Sequence, residues 1–102
     1  MARRITRKMA TAPRVIPAAP GCRSSFGHRH REQEELYVVL EGGGRVKLGD
    51  DVVELRRLDA VRVAPATMRA FEAGPNGLVL LAYGAPAVDP ADVEMAPGWW
   101  SE

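Results

Sequence analysis

Residues 26–42 read FGHRHREQEELYVVLEG, and this stretch carries the strongest fold signal in the chain. Its second half, residues 35–41, is rich in β-branched and aromatic residues, which favour a β-strand. The run Gly42-Gly43-Gly44 that follows predicts a turn, because glycine adopts backbone angles that are closed to other residues. The stretch therefore predicts a strand that ends near residue 41.

Short runs of the same kind continue on the C-terminal side. Further strands are predicted at residues 45–48, 52–58, 60–64, 68–73 and 78–83, with turns at 49–51 and 74–77. The last run is apolar on both faces, so we expect it to be central in the sheet. No window shows the periodicity of an amphipathic helix. Five or six short strands predict an all-β sandwich or small barrel of antiparallel neighbours.

The composition is that of one globular domain. The chain has 102 residues, of which 46% are apolar and 26% charged, and its net charge of +1 indicates no dedicated polyanion partner. No apolar run approaches the roughly 18 residues needed to cross a bilayer. The single cysteine, Cys22, excludes an intrachain disulfide and favours a reducing, cytoplasmic location.

The two ends of the chain differ from the middle. Residues 1–31 carry eight Lys or Arg and no acid, whereas residues 32–102 carry all 13 acids. We interpret residues 1–20 as a flexible basic arm, residues 21–84 as the barrel, and residues 85–102 as a tail that ends in Trp99-Trp100. An organelle transit peptide and a start at Met9 are alternatives for the arm. Nucleic-acid binding is disfavoured, because no aromatic residue interleaves the arginines. The two tryptophans are expected to pack on the barrel or against a second subunit.

Both histidines of the chain lie in the first half of the opening stretch. His28 and His30 are two residues apart, so on an extended strand both imidazoles project from the same face. Glu35 follows after a short polar turn, and a hairpin would bring its carboxylate back toward them. Two imidazoles and one carboxylate are a common ligand set for a divalent transition metal. The alternative is a hairpin end whose histidines face water.

The spacing of these residues resembles the first motif of the cupin family. That motif consists of glycine, five residues, His-x-His, three or four residues, Glu, six residues and Gly. His28, His30, Glu35 and Gly42 match it, while Cys22 stands at the position of the first glycine. With the strands that follow, the resemblance extends over residues 22–84. It implies a small jelly-roll β-barrel, often dimeric, that holds a metal near one open end.

The second cupin motif is present only as a pattern of strands. Its register falls on Leu58, Ala64, Ala66, Arg69 and Ala73, and none of the five keeps the family residue. Arg69 occupies the position of the third histidine of the family, and a protonated guanidinium has no lone pair to give a metal.

Three arrangements of Arg69 remain open at this point. In the first, His28, His30 and Glu35 bind a metal, and Arg69 either contacts these ligands from behind or reaches across the cavity to an anionic substrate. In the second, Arg69 pairs with Glu35 in a metal-free barrel. In the third, it points to solvent on the opposite face.

Retention of both histidines and Glu35 favours the metal-bound arrangement. The resemblance then implies a site for iron, manganese, nickel, copper or zinc beside a small-molecule pocket, with oxygenase- or isomerase-like activity. Tyr37 shares the strand face of Glu35 and is a second candidate, with Arg69, for lining the pocket. The alternative is a non-catalytic, metal-free or weakly metal-binding protein in which Arg69 binds a small anion. A homodimer is expected in either case.

Overall fold

The computed structural model describes residues 13–84 and 92–101. The described residues form seven strands and no α-helix. The strands are β1 (Arg14–Ala18), β2 (Phe26–His30), β3 (Glu35–Leu48), β4 (Asp51–Leu55), β5 (Ala60–Val63), β6 (Arg69–Gly84) and β7 (Val93–Pro97). None of the described residues belongs to a helix long and apolar enough to cross a membrane.

All strand pairings among the described residues are antiparallel, as the sequence predicts. The sheet has the order β4-β3-β6-β2-β7, with β1 also paired to β6 and β5 also paired to β3. β6 is central, because it pairs with β1, β2 and β3. The all-β jelly-roll prediction is confirmed, and so is the central position of residues 78–83.

The prediction of turns at residues 42–44 and 74–77 is wrong. β3 and β6 run through both glycine segments as long paired strands, with register shifts near Gly42 and Gly44. A Cβ at Gly44 would collide with the backbone carbonyl of Glu72, and one at Gly42 would collide with that of Gly77. Glycine is needed here because the two strands bend and approach each other closely.

Both ends of the chain contribute strands to the barrel. Within the segment interpreted as an arm, residues 14–18 form β1 and pair with residues 78–82 of β6. Within the tail, β7 pairs with β2 along its whole length. Residues 1–12 and 85–91 of these segments, and residue 102, lie outside the described residues. Trp100 is 4% exposed and packs on its own domain.

One cluster of buried apolar residues forms the core. Its buried members are Tyr37, Val39, Val46, Leu55, Val63, Ala73, Leu78, Leu80 and Ala82. Most come from β3 and β6, where alternate residues face inward. The same alternation places Arg14, Ile16 and Ala18 opposite Ala82, Leu80 and Leu78, so these β1 residues project from the same face as the core, although Arg14 and Ile16 remain exposed.

Candidate metal centre

The structure brings the predicted ligands together. His28 and His30 stand on β2, and Glu35 begins β3 across the intervening turn. One ligand atom from each of the three lies within 4.8 Å of the others. His30 and Glu35 are buried, whereas 28% of the His28 side chain is exposed. The three side chains therefore meet around one point, but the predicted hairpin is wrong: β2 pairs with β6 and β7, whereas β3 pairs with β4, β5 and β6.

One oxygen of Glu35 is the centre of the cluster. Its Oε1 accepts hydrogen bonds from the Tyr37 hydroxyl at 2.5 Å and from the Arg69 guanidinium at 2.8 Å. His28 Nε2 lies 3.3 Å and His30 Nε2 3.2 Å from the same oxygen. Burial raises the pKa of Glu35, but hydrogen bonds from His28 and Tyr37 and the charges of the neighbouring groups lower it to about 2. Glu35 is thus held as a carboxylate.

Asp92 orients His30 from the C-terminal segment. Its Oδ2 lies 3.0 Å from His30 Nδ1, and its carboxylate also accepts hydrogen bonds from the backbone amides of Arg31, Glu32 and Gln33. Because an ionised carboxylate only accepts, Nδ1 of His30 carries the proton. Burial raises the pKa of Asp92, but its backbone and His30 hydrogen bonds lower it below the ordinary value.

This arrangement leaves Nε2 of His30 without a partner. The atom is fully buried, and despite its distance of 3.2 Å from Glu35 Oε1 it makes no hydrogen bond of acceptable geometry. A neutral imidazole protonated on Nδ1 presents a lone pair at Nε2. A carboxylate that holds the far nitrogen of a histidine is the usual support for a metal-binding imidazole.

Arg69 is wholly buried beside this cluster. It pairs in register with His28, and its NH1 donates to Glu35 while its NH2 donates to the carbonyl of Ala64 at 2.7 Å and approaches that of Pro65 at 3.3 Å. The arrangement with Arg69 in solvent is therefore excluded, since its side chain has 0% exposure. Arg69 links Glu35 to the turn that precedes β6.

The donor set fits a divalent metal ion with three protein ligands. His28 Nε2, His30 Nε2 and a Glu35 oxygen are the donors, and the buried lone pair of His30 has no other use among the described residues. Arg69 is the unfavourable element, because a guanidinium on Glu35 repels a cation bound to the same carboxylate. The residues therefore fit a metal whose affinity is reduced by a neighbouring positive charge.

A cavity of about 670 Å³ adjoins the cluster. His28, His30 and Tyr37 lie on its wall, while Arg69 does not. Tyr37 is itself 2% exposed, and burial together with Glu35 raises the pKa of its hydroxyl. Most of the remaining wall is apolar, so the cavity suits a small molecule with a largely apolar body.

Two residues of the site were not found from the sequence. Asp92 lies 62 residues beyond His30, in a segment that no pattern links to the histidines. Arg14 lies on the cavity wall although its segment shows no alternation of polar and apolar residues. Arg14 reaches the site through the pairing of β1 with β6, and Asp92 through its hydrogen bonds to His30 and to the turn after β2.

Comparison of the sequence with known proteins finds a distant relative but no family model. No protein-family model matches the sequence. An uncharacterized protein of Methanocaldococcus jannaschii is 27% identical over 89 residues, which cover 86% of this chain and 69% of that protein.

Solved structures give a closer description of the architecture. A cupin protein from Bacteroides fragilis is 28% identical with a TM-score of 0.61, over 76% of this chain and 64% of that one. A salicylate 1,2-dioxygenase from Pseudaminobacter salicylatoxidans is 14% identical with a TM-score of 0.70, over 83% of this chain and 24% of that one. The chain thus spans less than two thirds of either solved protein. Together with the His-His-Glu cluster, these similarities show that the described residues form a barrel of the cupin-superfamily type.

Proposed function

We propose that this cupin binds a divalent transition metal ion through His28, His30 and Glu35. The observation that carries the proposal is the buried Nε2 of His30, which has no hydrogen-bond partner while Asp92 holds the opposite nitrogen. Two imidazoles and a carboxylate suit iron, manganese, nickel, copper and zinc alike. The proposal therefore concerns the site and not the identity of the ion.

We further propose that the ion acts on a small molecule in the adjoining cavity, in an oxygenase- or isomerase-like reaction. A bound metal with open positions supplies Lewis acidity or a binding position for oxygen. The chain's own residues have separate tasks. Asp92 fixes the proton of His30 on Nδ1, and the Tyr37 hydroxyl and Arg69 hold the Glu35 carboxylate in place. The apolar wall excludes water from the bound molecule.

A second candidate is a metal-free barrel that binds a small anion. The ion pair between Arg69 and Glu35, at 2.8 Å, favours it, because this pair already neutralises the carboxylate. Burial of Arg69 away from the cavity wall weighs against direct contact between its guanidinium and a ligand. The two candidates differ in whether the histidines hold an ion.

Metal content decides between them. Protein purified without a polyhistidine tag is analysed by mass spectrometry for bound metals, before and after incubation with each of the five ions. We expect about one equivalent for at least one ion, and loss of that ion in His30→Gln. Arg62→Gln is the matched control, because Arg62 is exposed and pairs with Glu34 on the outer surface. Less than about a tenth of an equivalent for every ion would contradict the metal site and favour the anion-binding candidate.

A further inference from the structure

The charges around the site balance only when no metal is bound. Glu35 faces two guanidiniums, those of Arg69 and Arg14, and Asp92 pairs with His30, so two carboxylates stand against two fixed positive charges. Since Asp92 and Glu35 are the acidic groups that contact the histidines, a divalent ion adds two positive charges that the described residues leave uncompensated. In a buried site such an excess weakens binding unless an anion enters with the ion.

Arg14 is placed to receive that anion. Strand pairing sets it opposite Ala82, whose other neighbour is Tyr37, so all three project from the same face of the sheet, and the Arg14 side chain, 67% exposed, lies where that face meets solvent. Its NH2 lies 3.6 Å from Oε2 of Glu35, while the histidines lie on Oε1. This is an ion pair too long for a hydrogen bond, and it is the one partner of Arg14 among the described residues. The guanidinium is thus bound to no single partner and is open to a ligand that enters from solvent.

The cavity wall determines the remainder of the ligand. Among the described residues that line it, Arg14 is the only Lys or Arg, and the wall beyond it includes Ile16, Phe71, Leu80 and Met95. A guanidinium binds a carboxylate in two parallel hydrogen bonds, and an apolar wall favours an apolar body. A small hydrophobic carboxylic acid combines the two properties.

We propose that the cavity binds a small apolar carboxylic acid whose carboxylate pairs with Arg14, and that this acid and the metal ion bind cooperatively. The inference rests on the proposed metal site. Each ligand offsets the charge that opposes the other, since the acid supplies negative charge beside the ion. Linkage requires the effect to be reciprocal, so the acid must raise metal affinity by the factor by which the metal raises acid affinity.

Calorimetric titration of Co²⁺ tests the proposal, with benzoate as the acid and benzyl alcohol as its neutral counterpart. We expect saturating benzoate to raise Co²⁺ affinity about tenfold and benzyl alcohol to leave it unchanged. Titration of benzoate into Co²⁺-loaded and metal-free protein should show the same factor. Arg14→Gln should reduce the factor to below about twofold, while Arg62→Gln, which removes an exposed arginine remote from the cavity, should keep it.

The outcomes separate this inference from the function on which it rests. If Co²⁺ binds equally well with benzoate and with benzyl alcohol, or if Arg14→Gln keeps the full effect, cooperative acid binding is overturned and the metal site stands. If wild-type protein binds neither Co²⁺ nor any of the five ions named above under any of these conditions, the metal site itself is overturned, and the inference falls with it.

Discussion

Glu35 and Glu72 are two carboxylates in the same barrel, each surrounded by positively charged or basic groups. Glu35 is 1% exposed and meets two imidazoles, a phenol and a guanidinium. Glu72 is 21% exposed and is held by Arg23 and Arg45, each with a nitrogen 2.6 Å from it. Both arginines also stack on the Trp100 ring, at 4.4 and 5.2 Å from its centroid.

The difference between the two clusters lies in lone pairs and not in charge. A guanidinium donates hydrogen bonds and has no lone pair for a metal ion. The Glu72 cluster can therefore only hold separate segments of the chain together. An imidazole held on one nitrogen offers the other, so the Glu35 cluster can hold an ion. The Glu72 cluster anchors Trp100 and with it the segment that carries Asp92. One cluster therefore supports the other.

The largest expected difference between the clusters is in stability. Glu35→Gln leaves the buried charge of Arg69 without a counter-charge, and we expect it to lower the free energy of unfolding by about 3 kcal/mol. Glu72→Gln, in the half-exposed cluster, should lower it by about 1 kcal/mol. Urea denaturation of both metal-free variants measures the two losses. Equal losses would show that burial does not distinguish the clusters.

Removal of Trp100 tests whether the outer cluster anchors the tail. Trp100→Ala should lower the free energy of unfolding by roughly 3 kcal/mol. The substitution leaves a cavity where the buried ring was, and it removes the surface on which the two arginines stack. Phe26→Ala, at an aromatic residue that is 46% exposed, should lower it by less than about 1 kcal/mol. Amide hydrogen exchange of β7 should rise in Trp100→Ala and not in the control. Unchanged exchange in β7 would refute the anchoring role.

Asp92 should act on the metal more than on the fold. In Asp92→Asn the amide oxygen still accepts from His30 Nδ1, but the negative charge is lost, so we expect metal affinity to fall about 10- to 100-fold. The control is Glu94→Gln, which removes an exposed carboxylate two residues away that pairs with Arg29. Calorimetric titration with the ion that the wild type retains measures both. An affinity within about twofold of wild type would exclude the positioning role of Asp92.

The last comparison between the clusters is the pH dependence of stability in metal-free protein. Hydrogen bonds from Arg45 and Arg23 lower the pKa of Glu72 below its ordinary value of 4.5, and that of Glu35 is lowered to about 2. A lowered pKa in the folded state stabilises the protein above the unfolded pKa, and this stabilisation is lost as pH falls. The stability difference between wild type and Glu35→Gln should therefore shrink from about pH 4.5 downward and vanish near pH 2.

Acid titration of the unfolding free energy in urea measures this difference, with Glu72→Gln followed in parallel. A difference between wild type and Glu35→Gln that stays constant from pH 5 to about pH 2 would show that Glu35 has the same pKa folded and unfolded.

The sequence predicted the features that depend on local spacing. The His-x-His and Glu35 spacing located the site, and alternation located most strands and the central strand. The turn at residues 42–44 was wrong because glycine marks both a turn and a close approach of two strands, and only the partner strand distinguishes them. Arg69 was placed at the site by motif register, but its pairing with Glu35 depends on the packed interior.

The residues that the sequence did not reveal are Arg14, which begins the first strand, and Asp92, which directly precedes the last. The cupin resemblance covers residues 22–84, which lie between these two positions. A fragment limited to that range would keep the histidines and Glu35 and lose both Arg14 and Asp92. On the proposed function, the motif supplies the donors of the metal site, while Arg14 and Asp92, from outside it, supply their neighbours. We then expect related barrels that keep residues 22–84 and differ only in the flanking segments to bind different ligands without any change in the motif.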